Sequence, residues 1–233
     1  MNVQKLLRDE VSGWKTWEKT WFILATISVF ILSLLSNNNL LSLITAVTGV
    51  ISIICSGKGK LTGFVFGAIN ATLYAYIAFT SMYYGEMLLN LFYFLPMEFY
   101  GFYVWSKHMN PETKEVNKKS LSNRNRIIVI IAVILGGLVY GFILQNFNDA
   151  MPFVDSLLSI LSIITMFLAI EMYMENWILW ICVNLLRILL WVYSTMNGLN
   201  NIPMVLMSSV YLINSIIMFV KWKREVDSNM LNS

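Results

Sequence analysis

Apolar residues along this chain gather into runs of about 16 to 20, close to the length that crosses a hydrocarbon core of roughly 30 Å at 1.5 Å per helical residue. Eight such segments are predicted, at 20–36, 40–55, 61–80, 86–105, 127–145, 154–171, 176–195 and 203–220. The stretch from Ser106 to Arg126 is the one long polar interruption, and it divides the chain into halves. This pattern predicts an all-α polytopic membrane protein with eight transmembrane helices.

Composition agrees, with 58% hydrophobic and 12% charged residues in a chain of 233. An ordinary soluble domain carries about 25% charged residues, so this chain has too little polar surface to solvate. The first apolar run begins only near Trp21, later than a secretory signal requires. Cys55 and Cys182 fall within or at the end of predicted spans and read as small apolar fillers, so neither a disulfide framework nor a metal cluster is indicated.

Charge placement then sets orientation. Of the sixteen lysines and arginines, all but Arg187 fall in alternate connections. Lys5, Arg8, Lys15 and Lys19 precede the first span, and Lys58 and Lys60 lie between the second and third. Lys107, Lys114, Lys118, Lys119, Arg124 and Arg126 fill the central loop, and Lys221, Lys223 and Arg224 follow the last span. The opposite connections, around Asn37 to Asn39, Ser81 to Gly85, Gln145 to Pro152 and Met196 to Ile202, carry none. The positive-inside rule therefore puts both termini in the cytoplasm. Trp14, Trp17, Trp21, Trp105 and Trp222 stand at span ends as interfacial anchors. The net charge of +3 follows this topology, and nucleic-acid binding is excluded.

A faint repeat crosses the central divide. Residues 61–105 and 175–222 each hold a span with a central asparagine, a glycine-containing turn and a span ending at tryptophan. Asn70 matches Asn184, Phe66 matches Trp180, Tyr93 is near Tyr211, and Trp105 is near Trp222. With the preceding span of each half this makes two triplets of like orientation joined by one helix, a known transporter plan with its substrate near midplane. A single transporter domain results: an N-terminal segment and extra helix (1–39), a first bundle (40–105), a loop and linker helix (106–153), a second bundle (154–222) and a tail (223–233).

The seventh span carries the chemistry. Trp177, Trp180, Asn184, Arg187 and Trp191 follow steps of three and four and form one stripe, which an amide and a guanidinium turn inward, away from lipid. Aromatic rings beside polar groups suit a flat heteroaromatic ligand, although helix packing explains single members of the stripe equally well. Glu98 is the other costly residue. Asn70, Glu98 and Asn184 lie at similar depth, which predicts one polar site, and Arg187 is placed about one turn outward as a partner for Glu98. Tyr93 shares the fourth span with Glu98, while Tyr211 and Asn214 share a face of the last span; these three are further candidates for substrate contact. His108 reads as a solvated loop residue. No phosphate loop, metal cluster or nucleophile with a base is present, so no enzyme, cofactor or ATP-driven pump is expected.

Trp177-x-x-Trp180-x-x-x-Asn184 resembles the WxxWxxxN signature of the PnuC nicotinamide riboside transporters, and Tyr84 to Trp105 resembles that family's other long motif. The likeness covers nearly the whole chain, including the terminal Lys-Trp-Lys-Arg. It implies a three-plus-one-plus-three bundle similar to the SWEET sugar transporters, an extra N-terminal helix and a homotrimer in a bacterial inner membrane. It also implies facilitated diffusion of nicotinamide riboside, trapped by a cytoplasmic kinase, with Trp177, Trp180 and Asn184 as binding residues. The family commonly holds glutamine at the position of Glu98, so the chain departs there. Carriers of thiamine, riboflavin and deoxynucleosides share the architecture, and a binding or scaffold protein without turnover is the alternative of another class.

Overall fold

The computed structural model describes residues 10, 12–35, 40–146, 152–198 and 202–231. Lys5, Arg8, the connection at Asn37 to Asn39 and the middles of two other uncharged connections lie outside these residues. The described chain is helical: α1 Thr16–Leu35, α2 Leu40–Lys58, α3 Thr62–Thr80, α4 Tyr84–Leu89, a π-helical turn Asn90–Phe94, α5 Leu95–Lys107, α6 Asn123–Asn146, α7 Pro152–Ile170, α8 Asn176–Met196 and α9 Ile202–Leu231. Seven of these helices among the described residues are long and apolar enough to cross a membrane. The segment expected as the fourth span is helical from Tyr84 to Lys107, but its hydrogen bonding changes at the π turn, which divides it into shorter pieces. Pro96 follows that turn, in the first turn of α5, where its missing N–H is tolerated best.

The helices form one bundle. α3 packs between α2 and the rod from α4 to α5, α8 packs between α7 and α9, and α2 packs on α9, while α6 packs along α7 and α1 lies against α2 and α9. α6 is the most apolar helix and the least buried, with only Gly137 and Gly141 shielded. Its side chains therefore face outward, as a lipid-facing linker requires.

Two tryptophans tie the groups of three together. The C-terminal carbonyls of a helix have no partner within it. Trp222, late in α9, donates its indole N–H to the Gly57 carbonyl at the end of α2 over 2.9 Å. Trp105, late in α5, donates likewise to the Ile170 carbonyl at the end of α7 over 3.0 Å. Each meets an aromatic ring edge-on from its own group, Trp105 with Phe64 at 4.8 Å and Trp222 with Trp177 at 5.6 Å between centroids. This end also holds the described basic residues between the helices and is called the basic end here.

The central polar stretch is more ordered than a solvated loop. Met109 bridges to Val116, Lys119 bridges to Tyr173, and Val116 is 2% exposed. Lys60 donates to the Lys114 carbonyl over 2.9 Å. His108 is exposed, as its sequence setting implies.

Candidate functional site

Near the centre of the bundle lies a cavity of about 90 Å³. Its walls come from α2, α3, the π turn with α5, α7, α8 and α9, and they mix Trp180, Phe94 and Phe64 with Asn70, Glu98 and Arg187. Trp105 and Trp222, 2% and 0% exposed, close it toward the basic end. That volume holds about three waters at roughly 30 Å³ each. A small-molecule site needs roughly 300 Å³ or more, so a ligand fits only after the helices part.

Trp177, Trp180 and Arg187 of the stripe on α8 line this cavity. Asn184 lies between them in sequence, fully buried, and donates to Ser215 Oγ of α9 over 3.1 Å while its carbonyl oxygen is unpartnered. The Trp177 indole N–H is also buried without a partner. A ligand that accepts from one and donates to the other would satisfy atoms whose isolation costs about 1–3 kcal/mol each.

Asn70 and Tyr211 line the cavity from α3 and α9. Asn70 donates to the Thr45 carbonyl over 2.7 Å. A methyl group at Gly49 would collide with the Tyr211 hydroxyl, the Asn70 amide and Met207, so glycine there lets three side chains converge on the α2 backbone. Gly67, one turn before Asn70, does the same for Glu98, whose carboxylate lies against it. Among the described residues Glu98 has neither an ion-pair partner nor a hydrogen-bond partner.

Arg187 is not bonded to Glu98, the partner expected for it, but pairs with Glu86. Its guanidinium lies 3.5 Å from Glu86 Oε2, with the two side chains 7% and 1% exposed. Three rings surround it, Tyr74 and Phe94 at 5.7 Å and Trp180 at 6.0 Å. Phe94 and Trp180 also stack at 6.2 Å. Toward the far end, Trp191 donates to the Tyr74 hydroxyl over 2.7 Å and meets Tyr83 edge-on.

The π turn explains the exchange of partners. Glu86, Asn90, Phe94 and Glu98 recur every four residues, and in an ideal α-helix each such step overshoots a turn by about 40°, leaving Glu98 about 120° from Glu86. An i→i+5 turn absorbs one residue, about 100°, and returns the four to nearly one face. Asn90, Phe94 and Glu98 accordingly all line the cavity, and Asn90 donates to the Glu86 carbonyl over 2.8 Å. The four-residue spacing was visible in the sequence. The π turn that aligns it was not, and Glu86 stood at the edge of the expected span.

Two other candidates lie elsewhere. The Tyr93 hydroxyl donates to the Ile163 carbonyl of α7 over 2.7 Å, and its side chain lines an outer groove with Ile128 and Phe167. Asn214 donates to the Ile53 carbonyl and accepts from the Trp21 indole, each at 3.1 Å, which fastens α1 and α2 to α9. No cluster of metal-ligating side chains occurs among the described residues.

The model of the family described as nicotinamide mononucleotide transporter matches residues 39–224. The nicotinamide riboside transporter PnuC of Neisseria mucosa is 36% identical over 94% of this chain and 85% of its own length. That of Haemophilus influenzae is 30% identical over 95% and 96%. A crystal structure of the vitamin B3 transporter PnuC superposes with a TM-score of 0.87 and 33% identity, covering 96% of this chain and 98% of the other. The chain belongs to the PnuC family. It is thus a multi-pass membrane transporter and not an enzyme. In PnuC terms the WxxWxxxN signature supplies two cavity walls, Trp177 and Trp180, and one residue behind the wall, Asn184.

Proposed function

We propose that this protein takes up nicotinamide riboside by facilitated diffusion across a bacterial inner membrane, where a cytoplasmic kinase traps the product. The observation that carries this reading is the buried cavity in which Trp180 and Phe94 stack beside the free carboxylate of Glu98. A pyridinium ring is flat, aromatic and permanently positive, and such a site offers it both stacking and a counter-charge. Asn70, Tyr211, Asn184, Trp177 and Arg187 serve the amide and the sugar hydroxyls, while Tyr93 and Asn214 hold the walls. A mononucleotide fits less well, because Glu86 offsets the charge of Arg187 and Glu98 would repel a phosphate.

In this reading the fourth rod crosses the membrane as well, which gives eight crossings with the basic end and both termini in the cytoplasm. The reciprocal tryptophan bonds support a parallel repeat, α2 to α5 and α7 to α9, joined by α6 and preceded by α1, as in the SWEET-like plan. Assembly as a homotrimer follows from the family resemblance.

The test is a calorimetric panel on purified protein with nicotinamide riboside, its mononucleotide, thiamine, riboflavin and a deoxynucleoside. Tight binding of nicotinamide riboside alone is expected, with loss on Trp180→Ala. Tight binding of thiamine with none of nicotinamide riboside would replace the substrate. Binding without countertransport in liposomes would make the protein a receptor.

A further inference from the structure

The linker helix α6 is held closely at one end and stands open at the other. Toward the far end its glycines let it approach α7: a methyl group at Gly136 would crowd Ile160, one at Gly141 would strike Phe153, and Ser156 donates to the Gly137 carbonyl over 2.9 Å. α6 is not packed along α8 or α9. Toward the basic end this leaves a groove of about 360 Å³, walled by Val129 and Ile130 of α6, Ile178 and Leu179 of α8 and Phe219 of α9. The groove opens on the outside of the bundle, where Ile130 is 57% and Ile178 42% exposed.

Two cations, Arg126 and Lys223, stand on this groove with one carboxylate, Glu175. Glu175 accepts from Arg126 Nε over 3.0 Å and Nη2 over 2.8 Å, and from the Leu121 N–H over 3.1 Å, so that pair is neutral. Lys223 is exposed and has no ion-pair partner among the described residues. An apolar trough thus ends at an uncompensated positive charge. Copies of one membrane protein share an orientation, so a second copy would bring its own basic end to the level of Lys223 and meet it with like charge. An anionic phospholipid brings the opposite charge together with the chains that an apolar trough accepts.

We propose that this groove binds one anionic phospholipid of the cytoplasmic leaflet, its phosphate at Lys223 and an acyl chain along Val129, Ile178 and Phe219. The inference is independent of the substrate, and of the proposed function it uses only the basic end lying in the cytoplasm. Ile178 follows Trp177 and Lys223 follows Trp222, two rings that meet edge-on, so the lipid braces the helix segments that carry the aromatic plug.

The experiment is native mass spectrometry of purified full-length protein released from micelles that hold equal amounts of phosphatidylglycerol and phosphatidylcholine. The wild type is expected to keep one phosphatidylglycerol in preference to phosphatidylcholine, and Lys223→Gln to reduce that preference about fivefold. Arg224→Gln removes the neighbouring exposed charge, which does not line the groove, and is expected to leave the preference unchanged. Equal retention of the two lipids by the wild type would overturn the site. So would an equal fall in both variants, which would make the attraction a diffuse property of the basic end. Displacement of the lipid by glycerol phosphate would make it a site for a soluble anion. In liposomes, a photoreactive side chain placed at Ile178 is expected to label lipid; labelling of a second copy instead would put another subunit in the groove and overturn the proposal.

Discussion

The two ends of the cavity are closed by opposite means. At the basic end a network of ion pairs lies behind the aromatic plug. Glu115 meets Lys58 and Lys118 at 2.7 Å and Lys221 at 3.5 Å. Glu18 of α1 meets Lys58 at 2.7 Å and Lys221 at 3.1 Å, and Glu225 meets Lys118 at 2.7 Å. At the far end, among the described residues that meet the cavity, Glu86 pairs with Arg187 amid Tyr74, Phe94 and Trp180. A shared network tolerates the loss of one member, because each lysine keeps another acid. A lone dry pair does not, because its survivor is an uncompensated charge. The basic end is thus built to loosen by degrees, and the far end to hold as a unit.

The largest effect should come from the lone pair. Arg187→Leu is expected to destabilise the protein by about 3–5 kcal/mol, read as a fall in thermal unfolding temperature in detergent, and Glu86→Leu in the same chain should recover most of it. Rescue by Glu98→Gln instead would return Arg187 to the partner first expected for it. Next, Trp180→Ala should weaken substrate binding by about 2 kcal/mol, roughly 30-fold in Kd, since it removes a stacking wall of the cavity. Trp222→Phe and Trp105→Phe should each cost about 1 kcal/mol of stability through one lost hydrogen bond. Similar losses from both would show that the two joints between the groups of helices are equivalent.

Glu115→Gln should cost less at neutral pH than Arg187→Leu, because Glu18 and Glu225 still hold the three lysines. Burial pushes the Glu115 carboxyl up, but Lys118, Lys221 and Lys58 outweigh it and hold the group at about 2, against an ordinary 4.5. A depressed carboxylate contributes its full stability above its unfolded value and loses it as pH falls toward the folded one. Unfolding temperature should therefore drop between about pH 4.5 and pH 2. A wild-type profile no different from that of Glu115→Gln across this window would remove Glu115 from the network.

Much of this was legible because membrane segments announce themselves by length and by the side their charges take. The helices, the sidedness of Lys58, Lys118 and Lys221, and the inward stripe of Trp177, Trp180 and Arg187 could all be read from spacing. Helix ends were less visible: α1 begins at Thr16 and α9 continues to Leu231, since charged residues that pair with one another extend a helix beyond its apolar part. Glu18 and Glu115 are far apart in sequence, so their common lysines emerge only from the fold. The partner of Arg187 was hidden by a change of helical period within one span. Asn214 and Tyr93 stand away from the cavity for another reason: a polar side chain in a membrane helix serves packing as readily as binding, and both bond the backbone of a neighbouring helix.

The bond from Trp222 to Gly57 spans 165 residues of chain. Chains emerge from the ribosome N-terminus first. The end of α2 is therefore made early and waits, its Gly57 carbonyl unsatisfied, through the synthesis of six further helical segments. Asn214 and Lys221, which fasten α9 to α1 and α2, arrive in the same late stretch. The cavity is closed by α9, translated after every other helix that lines it, so a nascent chain that stalls before residue 222 presents an open polar cleft to the insertion machinery and its quality control.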